Sequence, residues 1–370
     1  MDPALHGQRL QELERAPQFE LAKALEESGF SPAVAEKSAR AAGGSLAILK
    51  HHLTPPDSRW TPHWAPSVSP EVISACLLHG GWDSSEADQA AFSRIAGRTY
   101  AECQTELQIM ASSRDPLLLR AAGKWRLVSK DFAWSLFEAR VTATALERFE
   151  ALSPEILADD DPRYLLPDED RFLTNIKGHV PKYSEAIKRH VAETLAFLGA
   201  FGERLQVASS TDIISAIDRI VASVVSESVT WHRWASIGSR LPLLAEASPR
   251  SFLAAIEADL EKQDSAVVRL FHEEEEPMFG RCNHAGLLWS LEALAWSKRS
   301  LPQVAMILLE LAGRDSPNSR SSNRPQDCVL RMRGCLNNGR IDIMRKLSRS
   351  IAKQLFHAER YHRVNSLLAV

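Results

Sequence analysis

A metal site would have to be built from one of the few places where histidine and carboxylate residues lie close together. The run His272–Glu276 begins like the zinc-protease pattern His-Glu-x-x-His, but Glu276 occupies the fifth position and Pro277 follows it directly. A catalytic zinc ion needs two histidines one helical turn apart, a third ligand and an open position. Solvated carboxylates are therefore the better interpretation, and a metal hydrolase at His272 is a further hypothesis.

Cys282 and His284 are the other pair close enough to do chemistry together. Their spacing does not suit a metal knuckle, and a thiol nucleophile would need a third group to orient the histidine. Asn283 is a natural N-cap residue, so we expect it to cap a helix over His284–Trp296, with His284 against the first turn.

Two acidic runs, Asp159–Asp161 and Asp168–Asp170, could suggest calcium. A calcium loop needs alternating ligands, a glycine at its sharp turn and a terminal glutamate, and Pro162 and Arg163 fall where that pattern fails. We expect solvated loop carboxylates, some of them near helix starts.

Motifs for phosphate binding or covalent catalysis are missing from the sequence. No G-x-x-x-x-G-K-[ST] loop occurs, and the stretch Ala122–Trp125 lacks both the leading glycine and the magnesium-binding hydroxyl. No G-x-G-x-x-G follows a strand, and no G-x-S-x-G elbow exists. The sequence therefore predicts neither a cofactor nor an enzyme.

Composition is that of a soluble globular protein. The 370 residues are 45% hydrophobic and 25% charged, with a net charge of −3 that favours no class of partner. Five scattered cysteines indicate reduced thiols and a cytoplasmic protein. No stretch approaches the roughly 20 apolar residues of a membrane span, and the N-terminus lacks the apolar core of a signal peptide.

Helical periodicity dominates, so we predict a mainly α fold with a small helical lid, a winged helix-turn-helix with a β-ribbon, and an irregular helical array. The predicted boundaries are a lid-like bundle at 1–53, a Pro/Trp-rich linker at 54–70, a winged helix at 71–140, a helical array at 141–312, a flexible hinge at 313–326 and a basic helical tail at 327–370.

The linker carries five prolines with Trp60 and Trp64 between them, and it should run extended. These indoles could form a ligand for an aromatic groove on a partner. The interpretation we favour is that they pack against neighbouring domains and hold the linker in place.

The winged helix is predicted from helices at Val72–His79, Glu86–Ala96 and Thr99–Ser112, followed by a tight-turned ribbon over Leu117–Arg120 and Trp125–Val128. DNA reading by the third helix is opposed by two carboxylates, Glu102 and Glu106, on its outward side. Possible nucleic-acid contacts are the basic residues in and around the ribbon, Arg114, Arg120, Lys124 and Arg126.

The stretch Asn283–Ala312 predicts two helices joined by a short connection, the second starting at Pro302. Trp289 and Trp296 recur with leucines at helical spacing, and we expect a broad buried stripe whose grooves offer a partner surface. The tail from Arg320 carries eleven Lys/Arg against three acids; it could meet membranes, acidic partners or nucleic acid, and we favour docking on the array.

Several segments resemble one family. Leu21–Leu53 resembles the helical lid that follows the nucleotide-binding core of STAND-type (AAA-like) P-loop NTPases, and Gly80–Cys103 with Lys124–Phe137 resembles the winged helix behind that lid. Leu146–Glu203 and His284–Asp315 resemble the helical region of large bacterial members.

This resemblance implies a cytoplasmic bacterial switch that serves signalling or antiphage defence, in which a nucleotide-binding core controls the lid and a helical array senses a trigger. The P-loop and its metal-binding aspartate are missing here, as though the reading frame started after the core. We therefore expect a non-catalytic regulatory or sensor protein that binds a separately encoded NTPase core or a trigger protein. The alternative is a DNA-binding regulator that uses the winged helix.

Overall fold

The fold is mainly α-helical, with one small antiparallel sheet. The computed structural model describes residues 17–42, 49, 53, 61–113, 116–167, 171, 174, 178–205, 207, 212–226, 229–271, 283–315 and 324–330.

In chain order the helices are α1 Gln18–Glu27, α2 Pro32–Ala42, α3 Pro70–His79, α4 Glu86–Ala96, α5 Tyr100–Ser112, α6 Lys130–Phe137, α7 Ala143–Leu157, α8 Glu185–Phe201, α9 Ile213–Val224, α10 Trp231–Ser236, α11 Leu241–Ala247, α12 Pro249–Leu260, α13 Ala266–Arg269, α14 Ala285–Ala295 and α15 Leu301–Arg314. The strands are β1 Gly81–Asp83, β2 Leu118–Ala121 and β3 Lys124–Leu127. No helix in these described ranges is both long and apolar enough to cross a membrane.

The first two helices pack on each other around a small core of their own, which includes Leu21, Leu25 and Ala35. The sequence predicts an apolar face of α1 that contains Phe19, Ala22 and Leu25. Leu25 is buried as predicted and Ala22 packs against the small core, to which Leu21 also belongs. Phe19 is not buried, because 71% of its surface is exposed. The predicted third helix of this bundle lies mostly outside the described residues.

Helices α3, α4 and α5 with the three strands form a winged helix. The order along the chain is helix, strand, helix, helix, strand, strand, and the sheet order is β1-β3-β2. The turn between β2 and β3 places Ala122 and Gly123 at positive φ, as a two-residue hairpin turn requires. Strand β1 was not predicted because three residues are too few to display alternation.

The described part of the linker is not extended throughout. A 3₁₀ helix occupies Ala65–Ser67, with Pro66 in its first turn. Trp64 is buried, and its ring centroid lies 5.5 Å from that of Phe137. Arg140 donates hydrogen bonds to the carbonyls of two linker residues, so side-chain contacts determine the path of this segment.

The winged helix and the array are joined by one continuous apolar core that extends from Trp64 to Cys328. Polar contacts join the same two regions. Asp88 on α4 accepts hydrogen bonds from the backbone N–H and hydroxyl of Ser184, the residue that caps α8. Lys130 at the start of α6 lies 3.3 Å from Glu193 on α8. The winged helix is therefore held against the array.

Candidate functional site

Helix α14 places two tryptophans on the surface of the array. Trp289 is 59% exposed and Trp296, the residue that follows the helix, is 71% exposed. Their positions differ by seven, which is about two helical turns, so they lie on one face, about 10 Å apart along the helix axis. We expected both indoles in a buried stripe, but the stripe consists of the leucines on the opposite side, Leu287, Leu288, Leu291 and Leu294.

Beside Trp289 lies a cleft of about 410 Å³. The cleft lies where four segments meet: the start of α8, the start of α14, the turn after α10 and the turn at residues 161–163. The residues lining it are Asp161, Arg163, Glu185, Lys188, Ala235, Ser236, Gly238, Ser239, Arg240, Asn283, Ala285, Gly286 and Trp289.

Lys188 is one of three cations lining the cleft and is only 1% exposed. Its ammonium nitrogen lies 2.8 Å from Asp159 Oδ2 and donates a further hydrogen bond to the Asp159 carbonyl. Asp160 pairs with Arg233, and Asp161 caps the 3₁₀ turn that follows it. The prediction of solvated carboxylates near helix starts is therefore confirmed in part: Asp160 and Asp161 are 38% and 39% exposed and Asp161 lies at a helix start, whereas Asp159 is 18% exposed because Lys188 packs against it.

Arg240 is the second of these cations. Its Nη1 donates to Glu185 Oε2 over 2.7 Å and its Nη2 donates to the carbonyl of Ser236. The Nε–H of Arg240 is buried without an acceptor among the described residues, and so is the Nε–H of Arg163. Arg163 Nε nevertheless lies 3.2 Å from Asp161 Oδ2 as an ion pair.

The start of α14 forms another wall of the cleft. A Cβ atom on Gly286 would lie 1.8 Å from the Gly238 carbonyl oxygen, so only glycine allows the helix to approach this turn. The N-cap is His284 and not Asn283 as predicted, and its side chain makes no capping bond. His284 is buried and stacks on Phe271 with ring centroids 4.6 Å apart.

The candidate DNA-reading helix, α5, has its charged side chains engaged within the fold. Glu106 accepts hydrogen bonds from Arg98 and from Ser69, and Glu102 forms a capping box with Thr99. The predicted inward face is confirmed, because Cys103, Leu107 and Met110 are buried.

The wing is more open than α5. Arg120, Lys124 and Arg126 are all exposed on the β-ribbon. The guanidinium of Arg120 lies over the ring of Trp125, 5.0 Å from its centroid.

Other predicted site residues do not join a common site. Trp64 is 3% exposed, which removes it from any partner surface. Trp60, Arg114, the run His272–Glu276 and Cys282 lie outside the described residues. Within the part of the chain that the structure describes, no three His, Cys, Asp or Glu residues are grouped to hold a metal ion.

His79, the last residue of α3, is a histidine in the interior of the winged helix. It is fully buried between Trp82 and Phe92, where desolvation lowers the pKa of its imidazole to about 4. A hydrogen bond from the ring Nδ1 to the Ala75 carbonyl opposes that shift only in part. His79 is therefore part of the packed interior of the winged helix.

Comparisons with protein-family models, with curated proteins and with solved structures found no match to this chain. The candidate sites therefore stand on their own geometry.

Sequence reasoning missed the cleft. Its one local signal was Lys188, a charged residue beside Ile187 on the stripe that α8 buries. A lysine there needs a partner carboxylate, since an unpaired buried charge is unstable. That partner, Asp159, is 29 positions earlier in the chain, and no pattern linked the two residues.

Proposed function

We propose that this protein is a non-catalytic regulatory or sensor protein that acts by binding another protein. The observation that carries the proposal is the exposed pair Trp289 and Trp296 on one face of α14. Tryptophan is enriched among residues that dominate interface energies, because a large rigid ring buries much area at a small entropic cost. Two indoles on one helical face are a suitable anchor for a partner.

The surroundings of the two indoles support this proposal. Helix α14 is held by its buried leucines, and α15 packs beside it with Val304 and Leu308 buried in the same core. The indoles therefore project from a fixed surface, and little ordering is needed on binding. The resemblance to the region behind the core of STAND-type NTPases suggests the partner: a separately encoded P-loop NTPase core, or the trigger protein that such a switch senses, in a bacterial cytoplasm.

The experiment is affinity capture with the full chain as bait from cells that express it, followed by quantification of each captured protein. Trp289→Ala with Trp296→Ala is the test variant. Phe19→Ala is a matched control, because Phe19 is an aromatic residue on another helix with the same 71% exposure as Trp296. We expect a P-loop NTPase or trigger protein that is retained by wild type and by the control and lost by the double variant. ATP hydrolysis by the purified chain would contradict the non-catalytic assignment.

A DNA-binding regulator is the second candidate, and the exposed basic wing favours it. Arg120, Lys124 and Arg126 could each contact a backbone phosphate, which would make duplex binding salt-dependent. If this candidate is correct, Arg120→Ala and Lys124→Ala will each weaken duplex binding. Each variant will also reduce the slope of log K against log salt concentration by about one, because one phosphate contact is lost. Duplex binding that is absent at low salt would eliminate this candidate.

A further inference from the structure

We propose that the exposed residues Trp289, Ala293 and Trp296, here called the tryptophan strip, bind a proline-rich segment in the polyproline II conformation. The segment would belong to the protein partner already proposed, so the inference rests on that proposal and adds the chemical class of the segment. A proline of the ligand would pack against each indole, and acidic residues of the ligand would follow beyond Trp296.

The spacing of the two indoles matches the repeat of a polyproline II helix. Trp296 follows α14 with φ −70° and ψ −18°, so the helical rise continues up to it and places it about 10 Å from Trp289 along the axis. A polyproline II helix rises about 9 Å per turn of three residues, so prolines three positions apart lie on one side at nearly this distance. Side chains on one face of a β-strand repeat about every 7 Å and do not fit it.

A small residue between the indoles leaves room for the ligand backbone. Ala293 is exposed and lies about one helical turn from each tryptophan, four positions after Trp289 and three before Trp296. The strip is therefore a shallow groove with a methyl group at its centre and a large ring at either end. Proline-rich segments dock in aromatic-lined grooves because their backbone is already ordered, which lowers the entropic cost of binding.

The indole N–H groups favour a ligand with an open backbone over a helix. Within the part of the chain that the structure describes, neither Trp289 nor Trp296 donates its indole N–H, whereas the N–H of buried Trp82 donates to the Tyr100 hydroxyl over 3.1 Å. A polyproline II backbone has no internal hydrogen bonds, so its carbonyls can accept from both indoles. An α-helix also repeats near 10 Å, but the carbonyls in its interior are already bonded to its own N–H groups.

The charges around the strip indicate acidic residues at one end of the ligand. Lys298 and Arg299 are exposed just beyond Trp296, and neither forms an ion pair with a described residue. Glu292 lies beside Ala293, between the two indoles, so it opposes an acidic residue in the middle of the ligand. Charges at the rim of an interface mainly set the association rate and its salt dependence. The expected ligand therefore has prolines over the indoles and carboxylates past Trp296.

The test is isothermal titration of the full chain with three synthetic peptides. The first, PPAPPAPPEE, carries the proline repeat and an acidic end. The second has alanine at every proline position and can form a helix, and the third ends in KK in place of EE. We expect the first peptide to bind at least about tenfold more tightly than the alanine peptide and about threefold more tightly than the KK peptide.

Variants then locate the contact. Trp289→Ala and Trp296→Ala alter exposed side chains and should each weaken binding of PPAPPAPPEE at least about tenfold. Trp296→Phe keeps a ring but removes the N–H donor, and should weaken binding about threefold. Ala293→Leu keeps a good helix former but fills the groove, and should weaken binding about tenfold. Phe19→Ala, which alters an equally exposed ring on α1, should leave binding unchanged.

The outcomes separate the proline-rich ligand from the protein-binding proposal. If capture of a partner requires both tryptophans but PPAPPAPPEE does not bind at millimolar concentration, the proline-rich ligand is ruled out and the protein-binding proposal stands. Equal binding of the alanine peptide would also overturn the inference, in favour of a helical partner. Binding of PPAPPAPPEE that neither tryptophan variant weakens would place the contact elsewhere and overturn it as well.

Discussion

Arg98 donates a 2.6 Å hydrogen bond to Glu106, so the cation that precedes α5 is bonded to a carboxylate on that helix. Glu106 also accepts hydrogen bonds from the backbone N–H and hydroxyl of Ser69, the last residue before α3. The outer side of α5 therefore ties the linker to the winged helix. A role in structure is the best interpretation of these charges.

Replacing Glu106 should destabilise the fold. Glu106→Ala removes the acceptor of the Ser69 N–H and takes from Arg98 its carboxylate partner, at a site where the Glu106 side chain is 14% exposed. We expect the free energy of unfolding to fall by about 1–3 kcal/mol. Urea denaturation provides the measurement, with Gln104→Ala on the exposed side of α5 as the control. Equal midpoints for the two variants would show that the Glu106 network contributes nothing.

Two helical glycines should respond to alanine in opposite ways. A Cβ on Gly286 would lie 1.8 Å from the Gly238 carbonyl oxygen, whereas a Cβ on Gly313 would meet nothing within 4 Å. Gly286→Ala must displace α14 from the adjoining turn and should lower the melting temperature by several degrees. Gly313→Ala, in α15, should raise stability by up to about 1 kcal/mol through helix propensity. A neutral Gly286→Ala would contradict the close approach of backbones at the cleft.

His79 should make stability depend on pH. Its pKa is lowered to about 4 in the folded chain by burial, from 6.5, so between these values the unfolded chain binds more protons. Stability is therefore full above pH 6.5 and is lost as pH falls, by about 2 kcal/mol between pH 7.5 and pH 5 and by about 3 kcal/mol once pH is below 4. Urea midpoints at pH 7.5 and pH 5 test this prediction.

The matched variants are His79→Leu and His179→Gln. His79→Leu removes the titrating group and should flatten the pH dependence, while His179, which is exposed, should leave it as in wild type. If His79→Leu retains the full pH dependence, other groups cause it.

The pair of Lys188 and Asp159 should be strongly coupled. Asp159→Ala leaves the Lys188 ammonium, 1% exposed, with its main charge partner removed, and should cost about 3–5 kcal/mol. Lys188→Met together with Asp159→Ala removes both charges and should recover most of that loss. A double-mutant cycle from denaturation data measures the coupling. Additive effects would mean that the pair does not interact.

The sequence predicted well those features that depend on local spacing. The helices α4 and α5 lie within one residue of their expected bounds, and Cys103, Leu107 and Met110 face inward as the periodicity indicated. The winged-helix order followed from the same patterns, except for the three-residue strand β1. The helical period identifies the buried face of a helix when one stripe of its surface is clearly more apolar than the others.

Two aspects of the site depended on neighbours distant in sequence. Trp289 and Trp296 share the period of the leucines, but α14 has apolar residues on more than one face and only one face meets the core. Periodicity alone could not decide which face is covered. The cleft depends on Gly286 against Gly238 and on Lys188 against Asp159, pairs whose contacts arise only when the helices pack.

The central claim is that Trp289 and Trp296 anchor a protein partner. The most direct measurement is the dissociation constant of the captured partner, produced separately, for wild type, for Phe19→Ala and for the Trp289→Ala, Trp296→Ala double variant. We predict at least a hundredfold weakening by the double variant, since truncating two anchors costs about 2 kcal/mol or more each, and no change in the control. Equal affinities for all three proteins would contradict the claim.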